Sequence, residues 1–141
     1  MSVVGLELNA SRARAVHGTG GGPATALALD GDRRELPLAV SLHGRTPLAG
    51  AAAAGLRRKA PHLACLDFLP ALGEDRCWSA GRHRLGAAGA LDVVFRRLHQ
   101  SFGRADGVFL TLPTYLSDAQ EVQALQLAGR AGWHLLGTTS V

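Results

Sequence analysis

Apolar and polar positions alternate over residues 3–8, the period-two signature of a short β-strand, and Asn9-Ala10-Ser11 has the composition of a turn. Residues 13–17 read as the returning strand of a hairpin. The GTGGGP stretch at 18–23 is too rich in glycine to hold regular structure and predicts a loop. Residues 24–29 follow as a third strand closed by DGDRR, so the chain opens as a β-meander. ELPLAVSLHG is again extended, with Pro37 at its start or on a sheet edge, because proline has no amide to donate to a ladder. The alanine-rich stretch 47–58 predicts a helix that ends before Pro61.

From residue 62 to 85 the periodicity is weak. ACLDFLPAL is apolar but interrupted by Pro70, and RCWSAGRHRL fits a short strand with a turn. The pattern sharpens at Ala87. Leu91, Val94, Phe95 and Leu98 recur at helical spacing, which predicts an amphipathic helix to Phe102 with Arg96 and Arg97 outward and Gly103 as its stop. Residues 107–112 are almost continuously apolar, as in a strand covered on both faces. Ser117 and Gln120 make a capping box, so a helix begins at Asp118, buries Val122, Leu125 and Ala128, and ends at Gly132. Residues 133–136 return as a strand. Strand, helix and strand at this spacing imply a right-handed crossover and parallel pairing. The fold class expected is therefore α/β with a mixed sheet, in the element order of a ribonuclease-H-like half-domain with a small inserted subdomain.

At 141 residues the chain is one domain or part of one, and it can bury a sizeable core. The core is built from small and aliphatic side chains, because aromatic residues make up only 5%. Net charge is +4, and every basic residue except Lys59 is arginine. Such a bias suits phosphate or nucleic-acid contact, but the joint excess of arginine, alanine and glycine fits a high-GC coding bias better. The RRLHQSFGR and LRRK runs lack interleaved aromatics and read as solvated helix faces. No nucleic-acid partner is expected. Cys65 and Cys77 have no metal-ligand spacing, and the six histidines form no i, i+4 pair on a helix. Tyr115 and Trp133 read as packing residues. No apolar run approaches the about 18 residues of a membrane span, and no leader pattern opens the chain. A cytoplasmic protein without a membrane partner is expected.

VFLTLPTYLSDAQEVQALQLAGRAGWHLL closely resembles a stretch of the seventy-kilodalton, DnaK-type heat-shock chaperones. There a strand ends in Val-Pro-Ala-Tyr-Phe, and a Gln- and Ala-rich helix and another strand follow. Pro113, Tyr115, Asp118, Gln120, Ala128 and Gly132 all fall on that pattern. VVGLELNASRARAV is similar to the first phosphate loop of the same family, and LPLAVSLHGRTPLAGAAAAGL to its Thr-Pro-Ser strand and following helix start. The order and spacing of the three blocks agree, and together they cover most of the chain.

The resemblance implies an actin-like ATPase fold, in which two lobes clamp ATP or ADP with magnesium. Residues 1–35 and 104–141 would form the core half of lobe one, and 36–103 a reduced inserted subdomain. The chain would then be an N-terminal fragment of a divergent nucleotide-binding domain. Glu7, Asn9, Ala10 and Ser11 stand where that family has Asp-Leu-Gly-Thr-Thr and would face phosphate, with Glu7 holding magnesium through water. The loop is degenerate: Glu7 is one methylene longer, Asn9 replaces glycine, and Ala10 has lost a hydroxyl. Asn9 tolerates positive φ better than most residues. Leu69, in DFLPALG, stands where the family has a lysine that stabilises charge at the γ-phosphate, with Arg76 or Lys59 as spatial substitutes. Without that cation, catalysis falls by orders of magnitude, so little or no ATPase activity is expected. The strand tip at 113–115 would border the nucleotide cleft. The partners implied are proteins: a second lobe, another protein, or a second copy in a homodimer. The alternative is a stand-alone interaction module built on half an actin-like fold.

Overall fold

The structure is a computed structural model and describes residues 1–102 and 105–140. A six-stranded mixed sheet organises it. Strand β1 (Ser2–Leu8) lies at the centre, antiparallel to β2 (Arg12–Thr19) on one side and parallel to β10 (Gly107–Leu112) on the other. β11 (Leu135–Ser140) pairs in parallel with β10 and forms one edge. The other edge is shared: β3 (Thr25–Ala26) and β4 (Glu35–Pro37) both pair with β2, at different points along it. The order is β11-β10-β1-β2-β3.

Alternation along these strands decides which face is buried. Val4, Leu6 and Leu8 of β1, Ala13 and Ala15 of β2, and Val108, Leu110 and Leu112 of β10 all point into one core. Two helices supply the rest of it. α2 (Ala87–Phe102) contributes Leu91, Val94, Phe95 and Leu98, each fully buried, and packs against α3 (Asp118–Arg130). Trp133 locks their junction: its ring lies 4.4 Å from Phe95 and 5.1 Å from Phe102, and its Nε1–H donates to the Phe95 carbonyl at 3.2 Å.

The opposite face of the sheet stays open. It carries Gly5, Arg14, Val16 and Phe109, with Val16 46% and Phe109 51% exposed. Here two glycines act as notches. Leu136 covers Gly107 so closely that a Cβ there would lie 2.4 Å from its Cγ, and the Phe109 ring covers Gly137, where a Cβ would lie 2.8 Å away.

Between β4 and α2 the chain builds a second, smaller sheet. β5 (Val40–Ser41) is its centre, antiparallel to β6 (Leu48–Ala49) and β7 (Ala64–Cys65), and α1 (Ala51–Lys59) packs against it. A separate hairpin, β8 (Cys77–Ala80) with β9 (His83–Gly86), follows. Leu38, Val40, Cys65, Phe68 and Leu72 join the main core cluster, so packing is continuous across both sheets. β4 straddles the position 35/36 boundary, and α2 belongs to the same packed layer as α3.

The local stops follow sequence chemistry. Ser117 Oγ accepts from Gln120 N at 3.2 Å while Gln120 Oε1 accepts from Ser117 N at 2.9 Å, completing the capping box. At the other end Gly132 sits at φ 94, with Gly132 N–H on the Gly129 carbonyl and Trp133 N–H on the Ala128 carbonyl, a Schellman closure.

Several expectations need correction. The helix expected over 47–58 starts only at Ala51, because Leu48 and Ala49 form β6. The cap comes from Asp30, whose Oδ2 accepts from Ala51 N at 2.7 Å. The third strand shrinks from 24–29 to Thr25–Ala26, since only Val16 and His17 remain opposite it. The final strand runs over Leu135–Ser140, displaced by the turn that buries Trp133. Val122 is 53% exposed, not buried: α3 turns Ala124, Leu127 and Ala128 inward. Arg97 is only partly exposed, donating to Ser101 and lying 3.9 Å from Asp30. Gly103, read as a helix stop, lies outside the described residues. Among the described residues no helix is long and apolar enough to cross a membrane.

Candidate functional site

The β1–β2 turn and the tip of β10 meet because their strands are neighbours. Glu7 pairs in register with Thr111, so the turn that follows Leu8 faces the segment that follows Leu112. Between them lies a cavity of about 270 Å³, lined by Glu7, Asn9 and Ala10 on one side and Thr111, Pro113 and Tyr115 on the other. A smaller one of about 160 Å³ lies across the turn, where Ala10 and Ser11 face Arg57 and Asp67. Of the four residues expected at a phosphate loop, Glu7, Asn9 and Ala10 line the first cavity and Ala10 and Ser11 the second, so only Ala10 among these four borders both.

The turn is held by its own asparagine. Asn9 Oδ1 accepts from Ser11 N at 2.9 Å and from Arg12 N at 2.8 Å, and Asn9 N–H donates to the Arg12 carbonyl at 3.0 Å. This is an Asx-type turn, in which a short carboxamide takes the place of a backbone acceptor. Asn9 thus acts through its side chain. Among the described residues the one non-glycine at positive φ is Asp67, at φ 54.

Ser11 and Arg12 amides that would face an anion are turned onto a side chain of the same loop. The neighbouring cations are engaged as well. Arg12 Nη1 lies 3.1 Å from Glu35 Oε2, and Arg14 binds the same carboxylate through Nε at 2.8 Å. The Arg14 hydrogen bond is the chief reason that the Glu35 carboxyl is held below its ordinary range. Glu7 projects outward from β1 at the cavity rim. Among the described residues no three His, Cys, Asp or Glu side chains converge as a metal cluster.

Two residues around the turn, Arg57 and Asp67, were invisible to local pattern. Arg57 reaches in from α1 and pairs with Asp67 at 3.8 Å, with both side chains about two-thirds exposed (67% and 65%), a contact of little energetic weight. Tyr115, expected to pack, is 50% exposed at the cavity mouth. Its hydroxyl pKa is raised, first by desolvation and then by the charge of Asp67. These groups come from α1, the segment after β7 and the tip of β10. No sequence spacing links them.

The position expected to carry the family lysine lies elsewhere. Leu69 is fully buried, in a 3₁₀ turn Leu69–Ala71, and packs in the core. Arg76 stacks over Trp78 at 4.7 Å, on the β8 hairpin. Lys59 ends α1, exposed to solvent. Arg57 is the cation that lines the smaller cavity. Compared with known proteins, the chain matches no family model and no curated protein.

Proposed function

We propose that this chain is the first half of an actin-like lobe, similar to that of the seventy-kilodalton heat-shock chaperones, which has given up nucleotide hydrolysis and works as a protein-binding element. The strand order β11-β10-β1-β2-β3, with an antiparallel meander on one side of β1 and a parallel strand–helix–strand unit on the other, supports a ribonuclease-H-like core. The observation that carries the loss of hydrolysis is the self-capped turn. A phosphate site needs amides aimed outward, whereas Ser11 N and Arg12 N donate to Asn9 Oδ1. Leu69, at the sequence position where the resemblance implies a catalytic lysine, carries no charge and is buried in the core. ATP or ADP with magnesium would rest on Glu7, Asn9, Ala10 and Ser11, and that set suits it poorly.

Calorimetric titration with magnesium-ATP, alongside phosphate release, tests this. Neither saturable binding at micromolar nucleotide nor magnesium-dependent turnover is expected. Sub-micromolar affinity, or turnover abolished by Glu7→Gln, would overturn the proposal.

A second reading, a stand-alone interaction module, draws on the open face of the sheet. Val16 and Phe109 are half-exposed there, and Met1, Val3 and Gly5 border a shallow apolar depression of about 370 Å³ beside Val16. Concentration-dependent dimerisation in sedimentation, removed by Phe109→Glu, is its expected signature. A monomer at all concentrations would count against it.

A further inference from the structure

A cavity of about 700 Å³ lies away from the β1–β2 turn, between the loop that follows β5 and the tip of the β8–β9 hairpin. His43 and Arg45 stand on the loop side, and Arg82 and His83 on the hairpin side. No carboxylate lines it. Arg45 and Arg82 are exposed, and among the described residues neither belongs to an ion pair.

The two walls are tied together. His83 Nε2 lies 2.6 Å from the Gly44 carbonyl, a hydrogen bond joining residues 39 apart in sequence. The hairpin itself turns in two residues, with Gly81 at φ 58 in the first central position, the geometry that two-residue hairpins favour. The groove is therefore held open by backbone geometry and one cross-tie. Its floor is aliphatic, formed by Leu42, Leu63 and Ala80.

We propose that this groove docks an acidic peptide segment of a partner protein. Two free guanidiniums across an apolar floor match carboxylates flanking an aliphatic side chain, because guanidinium binds carboxylate bidentately and is weakly hydrated. Single-stranded nucleic acid would want aromatic platforms for its bases. The groove lining has no Phe, Tyr or Trp, its His83 ring is tied to the Gly44 carbonyl, and the neighbouring Trp78 is already covered by Arg76. A second copy of this chain carries a net charge of +4 and would meet like charge. The groove shares no lining residue with the β1–β2 turn, so this inference does not rest on the half-lobe reading.

The test is fluorescence anisotropy of the full chain with a labelled peptide of alternating glutamate and leucine. Saturable binding that weakens with salt is expected. Arg45→Ala with Arg82→Ala should lower the affinity by about tenfold or more, because a desolvated charge partner is lost. Arg34→Ala with Arg130→Ala removes the same charge elsewhere and should change it by less than about threefold. No binding, or equal losses from the two pairs, overturns the proposal. So does tighter binding of a labelled single-stranded oligonucleotide with the same Arg45 and Arg82 dependence. Displacement of the peptide by inorganic phosphate at matched ionic strength overturns it too, in favour of a small-anion site.

Discussion

Replacing Asn9 by alanine removes the acceptor for two amides at once, those of Ser11 at 2.9 Å and Arg12 at 2.8 Å. An intramolecular hydrogen bond contributes about 0.5–1.5 kcal/mol net. Both residues are exposed, so water recovers part of each bond and the low end applies, about 1 kcal/mol in all. Unfolding entropy near 60 °C is about 2.1 cal/mol/K per residue, which makes 1 kcal/mol worth about 3 °C in Tm for a chain of 141 residues. Asn9→Asp keeps a side-chain oxygen acceptor, now a carboxylate, and should hold the parent Tm within about 1 °C. Asn9→Gly should lose slightly more than alanine through chain entropy, yet it alone frees the amides while letting the backbone open. In a phosphorus NMR titration with inorganic phosphate, the parent should show no saturable shift and Asn9→Gly a weak, millimolar one. If Asn9→Ala melts with the parent and Asn9→Gly stays blind to phosphate, the self-capping account is wrong.

Four further outcomes follow from the packing. Trp133→Ala deletes the ring that joins Phe95 and Phe102 and removes the side-chain donor to the Phe95 carbonyl, so a loss of about 3–5 kcal/mol by chemical denaturation is expected. Gly107→Ala sets a Cβ 2.4 Å from Leu136 Cγ and should destabilise by about 1–3 kcal/mol, partly restored by adding Leu136→Ala; a Gly107→Ala protein as stable as the parent would contradict the notch. Burial pushes the Cys65 thiol from 9.0 up to about 11. The folded state therefore holds that proton more tightly, and the contribution is intact below pH 9 and lost as pH rises toward 11. A thermal scan of Cys65→Ala, compared with the parent across that window, isolates it. Iodoacetamide at pH 8 should label the exposed Cys77 and spare Cys65.

Some of this architecture was legible in the residues and some was not, for reasons that differ by element. α2 was plain because Leu91, Val94, Phe95 and Leu98 carry strong apolar signal at helical spacing, and all four are buried. The start and stop of α3 were plain because Ser117, Gln120 and Gly132 act through neighbours three or fewer residues away. The start of α1 was hidden because its cap is Asp30, 21 residues upstream. The buried face of α3 was misread because alanine is a weak apolar signal, and Val122 outweighed Ala124. At the site, the location of the turn was readable from Glu7 to Ser11, but its internal bonding was not. Tyr115 and Asp67 meet only because β10 and the segment after β7 converge there, and no local pattern encodes that.

Within this sheet the central strand is made before its neighbours, and its parallel partner follows long after. Val3 pairs with Gly107, and Ser2 N–H donates to Asp106, 104 residues away in the chain. At translation rates of about 5–20 residues per second, that separation corresponds to roughly 5–20 s of synthesis. During that interval β1 and β2 can pair with each other, but the β10 side of β1 has no partner within the nascent chain. Val4, Leu6 and Leu8 also lack the helices that later cover them. Parallel closure over such a distance is slow even in the finished chain. The meander therefore emerges as an open-edged sheet fragment that stays exposed to misassembly until β10 has been made.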